Sequence, residues 1–402
     1  MDEKNVLLAF SGGLDTTYCL VYLKEKGYNV HTLTVNSGSF NKDEESEIEK
    51  KAYKLGAVNH FAVDGKDILY TRWVGYLLKF GYLRGGTYPP CVGPEREVIV
   101  DQMTKFCKEH KINIVAHGST GAGGDQVRFE SALYIRMKDI KILAPIRDLR
   151  LSRQQEYEYL KSRGIDIDES TKKYSINKGM IGITIGGTET LDTKKPIPDS
   201  EFPNVLPIDL AGEAEEVKIS FQDGLVIKVN DRDLSGPEVF EMLNKIGARN
   251  AYGKGYHIGR SIIGLKARIA FEAPAYKMLI ECIKELQKVC LTSDQLFWIG
   301  VLGNVYGDMV HNGRYYSPIV NNLQSFIDSA IHNVSGDVVI ILNKGSLMVK
   351  SINAETSLFN VGFGTYGETM SQQLTSEDLS SLCKMYEIES QNFNFINNET
   401  SN

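Results

Sequence analysis

Residues 11–17, Ser-Gly-Gly-Leu-Asp-Thr-Thr, place hydroxyls, glycines and one carboxylate directly after the apolar run 6–10. The apolar spacing that follows is helical, so these residues are predicted to form a turn between a strand and a helix. Free backbone N–H groups and the helix dipole make the start of a helix an anion site, and glycines let the backbone curl around an oxyanion. The segment therefore predicts a phosphate-binding loop, although an N-capped helix after a glycine turn is the structural alternative.

The carboxylate of this segment, Asp15, needs a cation beside it if phosphates bind here. Mg²⁺ is commonly held by one or two carboxylates together with substrate phosphates, so Asp15 is a candidate Mg²⁺ ligand, directly or through water. The segment is not a Walker A loop, because the GxxxxGK[ST] pattern is absent.

Strand-like and helical runs alternate over the first part of the chain and would position this loop. The strand-like runs are 6–10, 30–36, 60–63, 112–117 and 140–144, and the helical runs are 15–26, 43–55, 95–110 and 153–163. This rhythm predicts an α/β fold with a doubly wound, mostly parallel sheet. Ligands bind beyond the carboxyl ends of such strands, where both the Ser11 loop and the His117–Gly118 loop lie.

The later part of the chain predicts an α+β domain and a C-terminal helix. Residues 171–205 are rich in Gly, Thr, Lys and Pro and are predicted to be built from loops. The predicted strands are 217–221, 225–229, 338–342 and 346–352, and the predicted helices are 237–246, 274–291, one from 294, and 377–387 with Thr375 as its cap. The final Asn- and Ser-rich residues are expected to be disordered. The predicted domains are residues 1–168, 169–365 and 366–402.

Composition narrows the class of protein. The chain has 402 residues and a formal net charge of −6, with no long basic block, which argues against a nucleic-acid partner. It has no apolar run of the roughly 20 residues that span a membrane, and its acidic start does not resemble a signal peptide, so we expect a cytoplasmic protein. The six cysteines form no CxxC pair and are predicted to be buried free thiols.

A second glycine-rich segment, AHGSTGAGGDQVRFE at residues 116–130, follows a predicted strand. The loop SGGLDT resembles the pyrophosphate loop of the ATP pyrophosphatase (PP-loop) superfamily. Together with GGTYPP, APIRD, YSINKGMIGITIGG and IIGLKAR in the same order, the two segments resemble the argininosuccinate synthase family over roughly residues 6–386. The resemblance implies an adenine nucleotide alpha hydrolase-like first domain, a synthetase and multimerisation domain, and a homotetramer.

The resemblance also implies an enzyme that joins citrulline to aspartate with ATP and Mg²⁺, giving argininosuccinate, AMP and pyrophosphate in arginine biosynthesis. By position, the ATP-binding residues would be Ala9, Ser11, Gly12, Gly13, Asp15, Thr16, Thr17, Val35 and Gly118. Aspartate would contact Thr120 and Asp125, and citrulline would contact Tyr88, Arg128, Ser175 and Thr184. Catalysis would rest on Asp15, Asp125 and Arg128, and the planar fork of Arg128 suits a carboxylate.

Several substrate positions depart from the family pattern. Gly124 stands where the family has Asn, Gly93 where it has Ser, and Gly259 where it has Glu. Phe271 replaces a Tyr and Ala122 replaces a Lys. Each change removes polar groups at the amino-acid end, and His257 and Arg260 are the neighbouring candidates to replace the lost contacts.

Three functions are compatible with this pattern. The first is a citrulline–aspartate ligase of a divergent branch of the family. The second keeps the AMP-forming chemistry but uses another acceptor or amine, and the third is a non-catalytic ATP-binding paralogue. A tRNA thiolase is disfavoured because the chain lacks a clear persulfide cysteine pair and a basic surface. Taken singly, Arg128 is also compatible with a surface ion pair, and His117 with a core histidine.

Overall fold

The structure, a computed structural model, describes residues 4–166, 174–359 and 364–399. Its first sheet is built from β1 (Asn5–Ala9), β2 (Asn29–Asn36), β3 (Asn59–Asp64), β4 (Ile114–Ala116) and β5 (Lys141–Leu143). These strands are parallel and lie in the order β3-β2-β1-β4-β5. The predicted α/β fold with a doubly wound parallel sheet is confirmed.

Helices cover both faces of this sheet. They are α1 (Leu14–Glu25), α2 (Lys42–Leu55), α3 (Lys66–Leu69), α4 (Gly75–Lys79), α5 (Gly93–His110), α6 (Asp125–Arg136), α7 (Pro145–Asp148) and α8 (Arg153–Lys161), with a π-helical turn at Tyr70–Val74. Successive side chains of a strand point to opposite faces. Accordingly, Leu7 of β1 packs in the larger core, whereas Val6 and Leu8 pack in a second core that includes Tyr18 of α1.

The helix boundaries have local causes. At the start of α2, the Asn41 side chain accepts hydrogen bonds from the backbone N–H of Asp43 and Glu44, and the Glu44 carboxylate accepts one from Asn41 N. The helix ends at Gly56, whose φ of 97° is left-handed. Glycine reaches that conformation without the penalty of a Cβ atom, so it is suited to stop the helix.

The later strands form two antiparallel sheets. They are β6 (Tyr174–Lys178), β7 (Ile183–Gly187), β8 (Glu215–Gln222), β9 (Leu225–Val229), β10 (Arg232–Asp233), β11 (Lys254–Arg260), β12 (Lys266–Glu272), β13 (Gly336–Asn343) and β14 (Ser346–Asn353). The orders are β10-β9-β8-β13-β14 and β11-β12-β7-β6. The helices here are α9 (Gly236–Arg249), α10 (Pro274–Cys290), α11 (Ser293–His311) and α12 (Ile319–Ile331), and 3₁₀ turns lie at Thr188–Leu191, Asp199–Glu201 and Ile208–Leu210.

The prediction that residues 171–205 are built from loops is wrong for the two strands β6 and β7, and residues 171–173 lie outside the described residues. Strands β6 and β7 form a hairpin, and β7 also pairs with β12. Ile183 and Ile185 are buried within it. The stabilising partner, β12, lies more than eighty residues further along the chain, so local composition does not reveal the strands.

Two helices follow near the C-terminus, α13 (Ser376–Met385) and α14 (Ile388–Glu399). Thr375 caps α13, since its hydroxyl accepts a hydrogen bond from Asp378 N at 3.1 Å. The expectation of disorder is wrong for α14. Its Asn and Ser residues have modest helix propensity, but neither Gly nor Pro interrupts the segment.

The described residues up to Glu355 form one compact unit, and those from Thr356 onward form another. The predicted boundary at residue 168 lies outside the described residues, and the three-domain division stays a prediction. Five cysteines are buried free thiols, as predicted, but Cys383 is exposed. Within the described ranges, the structure contains no helix with the length and apolar character of a membrane span.

Candidate active site

The Ser11–Thr17 loop joins β1 to α1 at the carboxyl edge of the parallel sheet. Gly12 has a left-handed φ of 71°, and Gly13 is the N-cap of α1. The Thr17 hydroxyl donates to Gly12 O at 3.3 Å, while the Ser11 and Thr16 hydroxyls lie 3.3 Å apart. Ser11 and Gly13 are exposed, so the loop presents backbone and hydroxyl groups to a ligand instead of being filled by side chains.

Two further residues fix the loop. Lys51 of α2 donates from Nζ to Gly12 O at 2.5 Å, and burial lowers the pKa of this amine. Gly118 follows β4 and lies against the start of α1. A Cβ atom at Gly118 would fall 3.2 Å from Asp15 C and 3.3 Å from Thr16 N. The two glycine loops predicted to bind ATP are therefore adjacent in space.

Asp15 lies beside Glu156 of α8, a residue that the sequence analysis did not single out. Glu156 is fully buried, and its pKa is raised by burial and then by the neighbouring Asp15 carboxylate. Within the described residues, no three His, Cys, Asp or Glu side chains are grouped closely enough to hold a metal by themselves. One or two carboxylates combined with phosphates suit Mg²⁺, so Asp15 fits an ion that arrives with a nucleotide.

Asp125 of α6 lies at the centre of an ion-pair chain. Its Oδ2 accepts from Arg96 Nε at 3.0 Å, and its Oδ1 accepts from Arg128 Nη1 at 2.6 Å. Burial alone would raise its pKa, but the two guanidiniums outweigh burial and lower the pKa of Asp125 to about 2. Arg96 Nη2 also donates to Asn177 Oδ1 of β6 at 2.8 Å, which ties the two halves of the chain together.

Arg128 is buried and engaged, so it is not a surface ion pair. Its Nε donates to His311 O at 2.7 Å, and its Nη2 lies 3.0 Å from His311 Nε2. Burial and the Arg128 charge hold the pKa of His311 well below its usual value, so the imidazole is neutral and can accept this hydrogen bond. These contacts and the bond to Asp125 use three of the five N–H donors of Arg128, so one N–H on each terminal nitrogen is left for a further acceptor.

Aromatic rings surround Tyr88. Its ring stacks on His257 with a centroid distance of 5.3 Å and meets Phe271 and His311 edge-on at 5.7 and 6.0 Å. His257 Nδ1 also lies 3.0 Å from Thr87 Oγ1. Tyr88 is thus buried among these rings, and its backbone pairs with Arg84 to close the turn over residues 84–88.

At the three positions where glycine replaces a larger residue of the family pattern, neighbouring side chains or backbone lie close to the glycine. A Cβ atom at Gly259 would fall 2.4 Å from His257 Nε2, and one at Gly93 would fall 2.7 Å from His311 Cα. At Gly124 it would lie 3.2 Å from Ile262 Cδ1. His257 thus occupies the space next to Gly259, whereas Arg260 is exposed.

The remaining predicted substrate residues lie on the hairpin and in the loop before α6. Thr184 pairs with Asn177, and Ser175 pairs with Gly186, so both side chains project from the same face of the hairpin. Thr184 is fully buried, whereas Ser175 is exposed. Thr120 is half-buried in the glycine loop, and Val35 is buried at the end of β2.

The core interpretation of His117 is supported. The residue is buried, its ring stacks on Phe129 at 5.3 Å, and its Nε2 lies 3.4 Å from Glu130 Oε1. Arg96, His311 and Glu156 are the site residues that the sequence analysis missed. Arg96 lies in the first turn of α5 between Glu95 and Glu97, and three consecutive charged residues that are all buried or nearly so are a feature that only the structure reveals.

A parallel α/β sheet whose first strand ends in an exposed glycine turn at a helix start is typical of the PP-loop class of nucleotide-binding proteins. Family comparison agrees: residues 5–166 match the arginosuccinate synthase N-terminal HUP domain and residues 174–393 match the arginosuccinate synthase C-terminal domain. The chain therefore belongs to the argininosuccinate synthase family.

Several similar curated proteins are named argininosuccinate synthase. The chain is 34% identical over 381 residues to the argininosuccinate synthase of Xylella fastidiosa, and the aligned segment covers 92% of this chain and 92% of the relative. It is 32% identical to the argininosuccinate synthase of Methanocaldococcus jannaschii, over 96% of this chain and 96% of the relative. It is 34% identical to that of Pyrococcus furiosus, over 90% of this chain and 88% of the relative.

Proposed function

We propose that this protein is an ATP-dependent, AMP-forming carbon–nitrogen ligase that joins citrulline to aspartate in arginine biosynthesis. The observation that carries the proposal is the exposed Ser11–Thr17 turn at the start of α1, with Gly118 packed against it. Membership of the argininosuccinate synthase family supports the same chemistry. We further propose a cytoplasmic homotetramer.

At the nucleotide end, the backbone N–H groups of residues 12–16 bind phosphate oxygens, because a helix start stabilises negative charge. The ribose and adenine extend toward Gly118, Ala9 and Val35. Asp15 would hold Mg²⁺ together with the phosphates, and the ion would offset phosphate charge. Lys51 stabilises the turn through Gly12 O and so keeps the amides oriented before ATP binds.

The proposed reaction has two displacements. The ureido oxygen of citrulline attacks the α-phosphorus of ATP, the bond to the β-phosphate oxygen breaks, and pyrophosphate leaves. The amine of aspartate then attacks the ureido carbon, AMP leaves with the oxygen, and the amine proton passes to solvent or a nearby base. The protein contributes orientation and charge stabilisation, with Asp125 and Thr120 on aspartate and Arg128, Tyr88, Ser175 and Thr184 on citrulline.

A second candidate is the same ligase chemistry on a different acceptor or amine. The observation that favours it is the pairing of Arg128 with His311, together with the His257 ring beside Gly259. These imidazoles fill space and use hydrogen-bond donors in the part of the site proposed to bind the amino-acid substrates. An acceptor of another shape would then fit where citrulline does not.

The test is pyrophosphate release from ATP with citrulline plus aspartate, followed by a panel of ureido, guanidino and carboxylate acceptors with several amines. Release that requires both citrulline and aspartate supports the proposal. Turnover with another pair alone rejects it in favour of the second candidate. ATP binding without release across the whole panel indicates a non-catalytic paralogue.

A further inference from the structure

Glu95 has a buried carboxyl group to which the proposed function assigns no role. It lies in the first turn of α5 and is only 2% exposed. Among the described residues, no donor comes within hydrogen-bonding distance of its Oε1. Burial and, less strongly, Asp125 hold its pKa well above the usual value.

The position of Glu95 is at the edge of the candidate active site. Its carboxyl lies against Gly179, in the turn between β6 and β7, where a Cβ atom would fall 1.2 Å from Glu95 Oε1. The next residue of this turn, Met180, donates from its backbone N to Ser37 O at 2.8 Å, just beyond β2. Glu95 therefore lies between the substrate residues and the carboxyl edge of the parallel sheet.

Arg96 does not supply the missing hydrogen bond to the Glu95 carboxyl group. Arg96 already donates to Asp125 and Asn177, and its Nη1 is 3.7 Å from Glu95 Oε2, beyond a hydrogen bond. A buried polar atom without a hydrogen-bond partner destabilises the folded protein. Such atoms are rare in native proteins, so an unmatched oxygen beside a ligand site is a sign that the ligand supplies the missing donor.

We propose that Glu95 is a substrate-binding residue that accepts hydrogen bonds from the ammonium group of an amino-acid substrate. The ammonium carries three donors and a charge, which satisfy the orphaned oxygen and favour the ionised carboxyl. The ion-pair chain then alternates in sign from Glu95 through Arg96 and Asp125 to Arg128. This inference rests on the proposed function and adds the group that recognises the substrate amine.

The inference is tested by calorimetry, in which amino-acid ligands are titrated into the protein in the presence of a non-hydrolysable ATP analogue. Binding is then measured without turnover. Two ligand pairs are compared, aspartate with succinate and citrulline with its desamino analogue. The wild-type protein should bind at least one ammonium-bearing ligand more tightly than its analogue. Glu95→Gln should reduce that preference roughly tenfold or more, mainly by weakening the ammonium-bearing ligand.

Glu97→Gln is the matched control, because Glu97 lies in the same helix, is 1% exposed and also has unpartnered carboxyl oxygens. It should keep the wild-type preference, and ATP affinity and thermal unfolding should show that both variants are folded. An unchanged preference in Glu95→Gln, an equal loss in Glu97→Gln, or no preference in the wild-type protein overturns the inference. Glu95-dependent preference without any pyrophosphate release would instead reject the proposed function and leave the inference standing.

Discussion

At the scale of single residues, the neighbours of a side chain decide its part in this protein. Arg128 is expected from the family pattern to bind citrulline, yet its fork is shared between Asp125 and the neutral imidazole of His311. Glycines at positions 93 and 259 make room for His311 and for His257. The nucleotide end is different, because its glycine turn remains open to solvent.

The turn itself gives a prediction for Gly12. Gly12→Ala should lower ATP affinity roughly tenfold, because an L-residue at a φ of 71° pays about 1–2 kcal/mol and relaxes by moving the loop amides. Gly164→Ala is the control, since Gly164 has the same φ of 71° and no atom within 4 Å of an added Cβ. Calorimetric ATP binding measures both variants. Equal ATP affinities in the two variants would contradict the assigned loop.

Glu97 gives a prediction for stability against pH. Burial, the largest influence, raises its pKa from 4.5 to about 8. Between these values the unfolded chain releases the proton while the folded chain keeps it, so the free energy of unfolding should fall as pH rises from about 4.5 to 8.

Glu97→Gln should remove this contribution and make the variant progressively more stable, relative to wild type, toward pH 8. Denaturant unfolding of both proteins at several pH values measures the difference. If the free energies of unfolding of the two proteins change in parallel with pH, or if their difference shrinks as pH rises, the raised pKa of Glu97 is contradicted.

At the scale of elements, close backbone approaches connect the two halves of the site. The start of α5 touches the end of α11 at Gly93 and His311. The turn between β6 and β7 meets both Glu95 of α5 and Ser37 after β2. These contacts, and not the local sequence of the hairpin, place Asn177 and Thr184 beside the ion-pair chain.

Restoring the family's serine at position 93 is therefore expected to be harmful. Gly93→Ser should lower the free energy of unfolding by about 1–3 kcal/mol, because its Cβ would fall 2.7 Å from His311 Cα and force the two helices apart. Gly300→Ser, in α11 itself, adds a Cβ in open space and should be neutral or slightly stabilising. Chemical denaturation compares the variants, and a Gly93→Ser protein as stable as wild type would refute the close contact.

At the scale of the whole molecule, the described residues form two compact units, one up to Glu355 and one from Thr356 onward. The larger unit holds the parallel sheet, both antiparallel sheets and the candidate active site. The smaller unit carries α13 and α14, which expose the apolar side chains of Leu382, Met385, Phe393 and Phe395. Such side chains are consistent with the predicted homotetramer, in which they would be buried between copies.

Ending the chain at Glu355 tests this division. The shortened protein should keep a cooperative unfolding transition, because its cores are formed within residues 4–355. Light scattering should give a smaller assembly than that of the full chain. A shortened chain that is unfolded, or one that still has the mass of a tetramer, would contradict this view.

The sequence by itself determined the parallel sheet, its strand-to-helix turn and the family. The alternation of strands and helices and the order of the glycine-rich motifs are local signals, since they depend on periodicity and on backbone freedom over a few residues. The same signals predicted the later strands β8, β9, β13 and β14 with only small errors at their ends. They did not reveal the hairpin of β6 and β7 or the pairing of β11 with β12.

Only the tertiary structure decided how the amino-acid end is arranged. His311 reaches Arg128 across 183 positions of sequence, and Glu95 meets Gly179 from a different element. Burial and the sharing of hydrogen-bond partners arise when distant elements pack together, so no local pattern encodes them. The glycine turn could be predicted because the backbone conformation of a few neighbouring residues creates it, whereas the environment of the ion-pair chain depends on the whole fold.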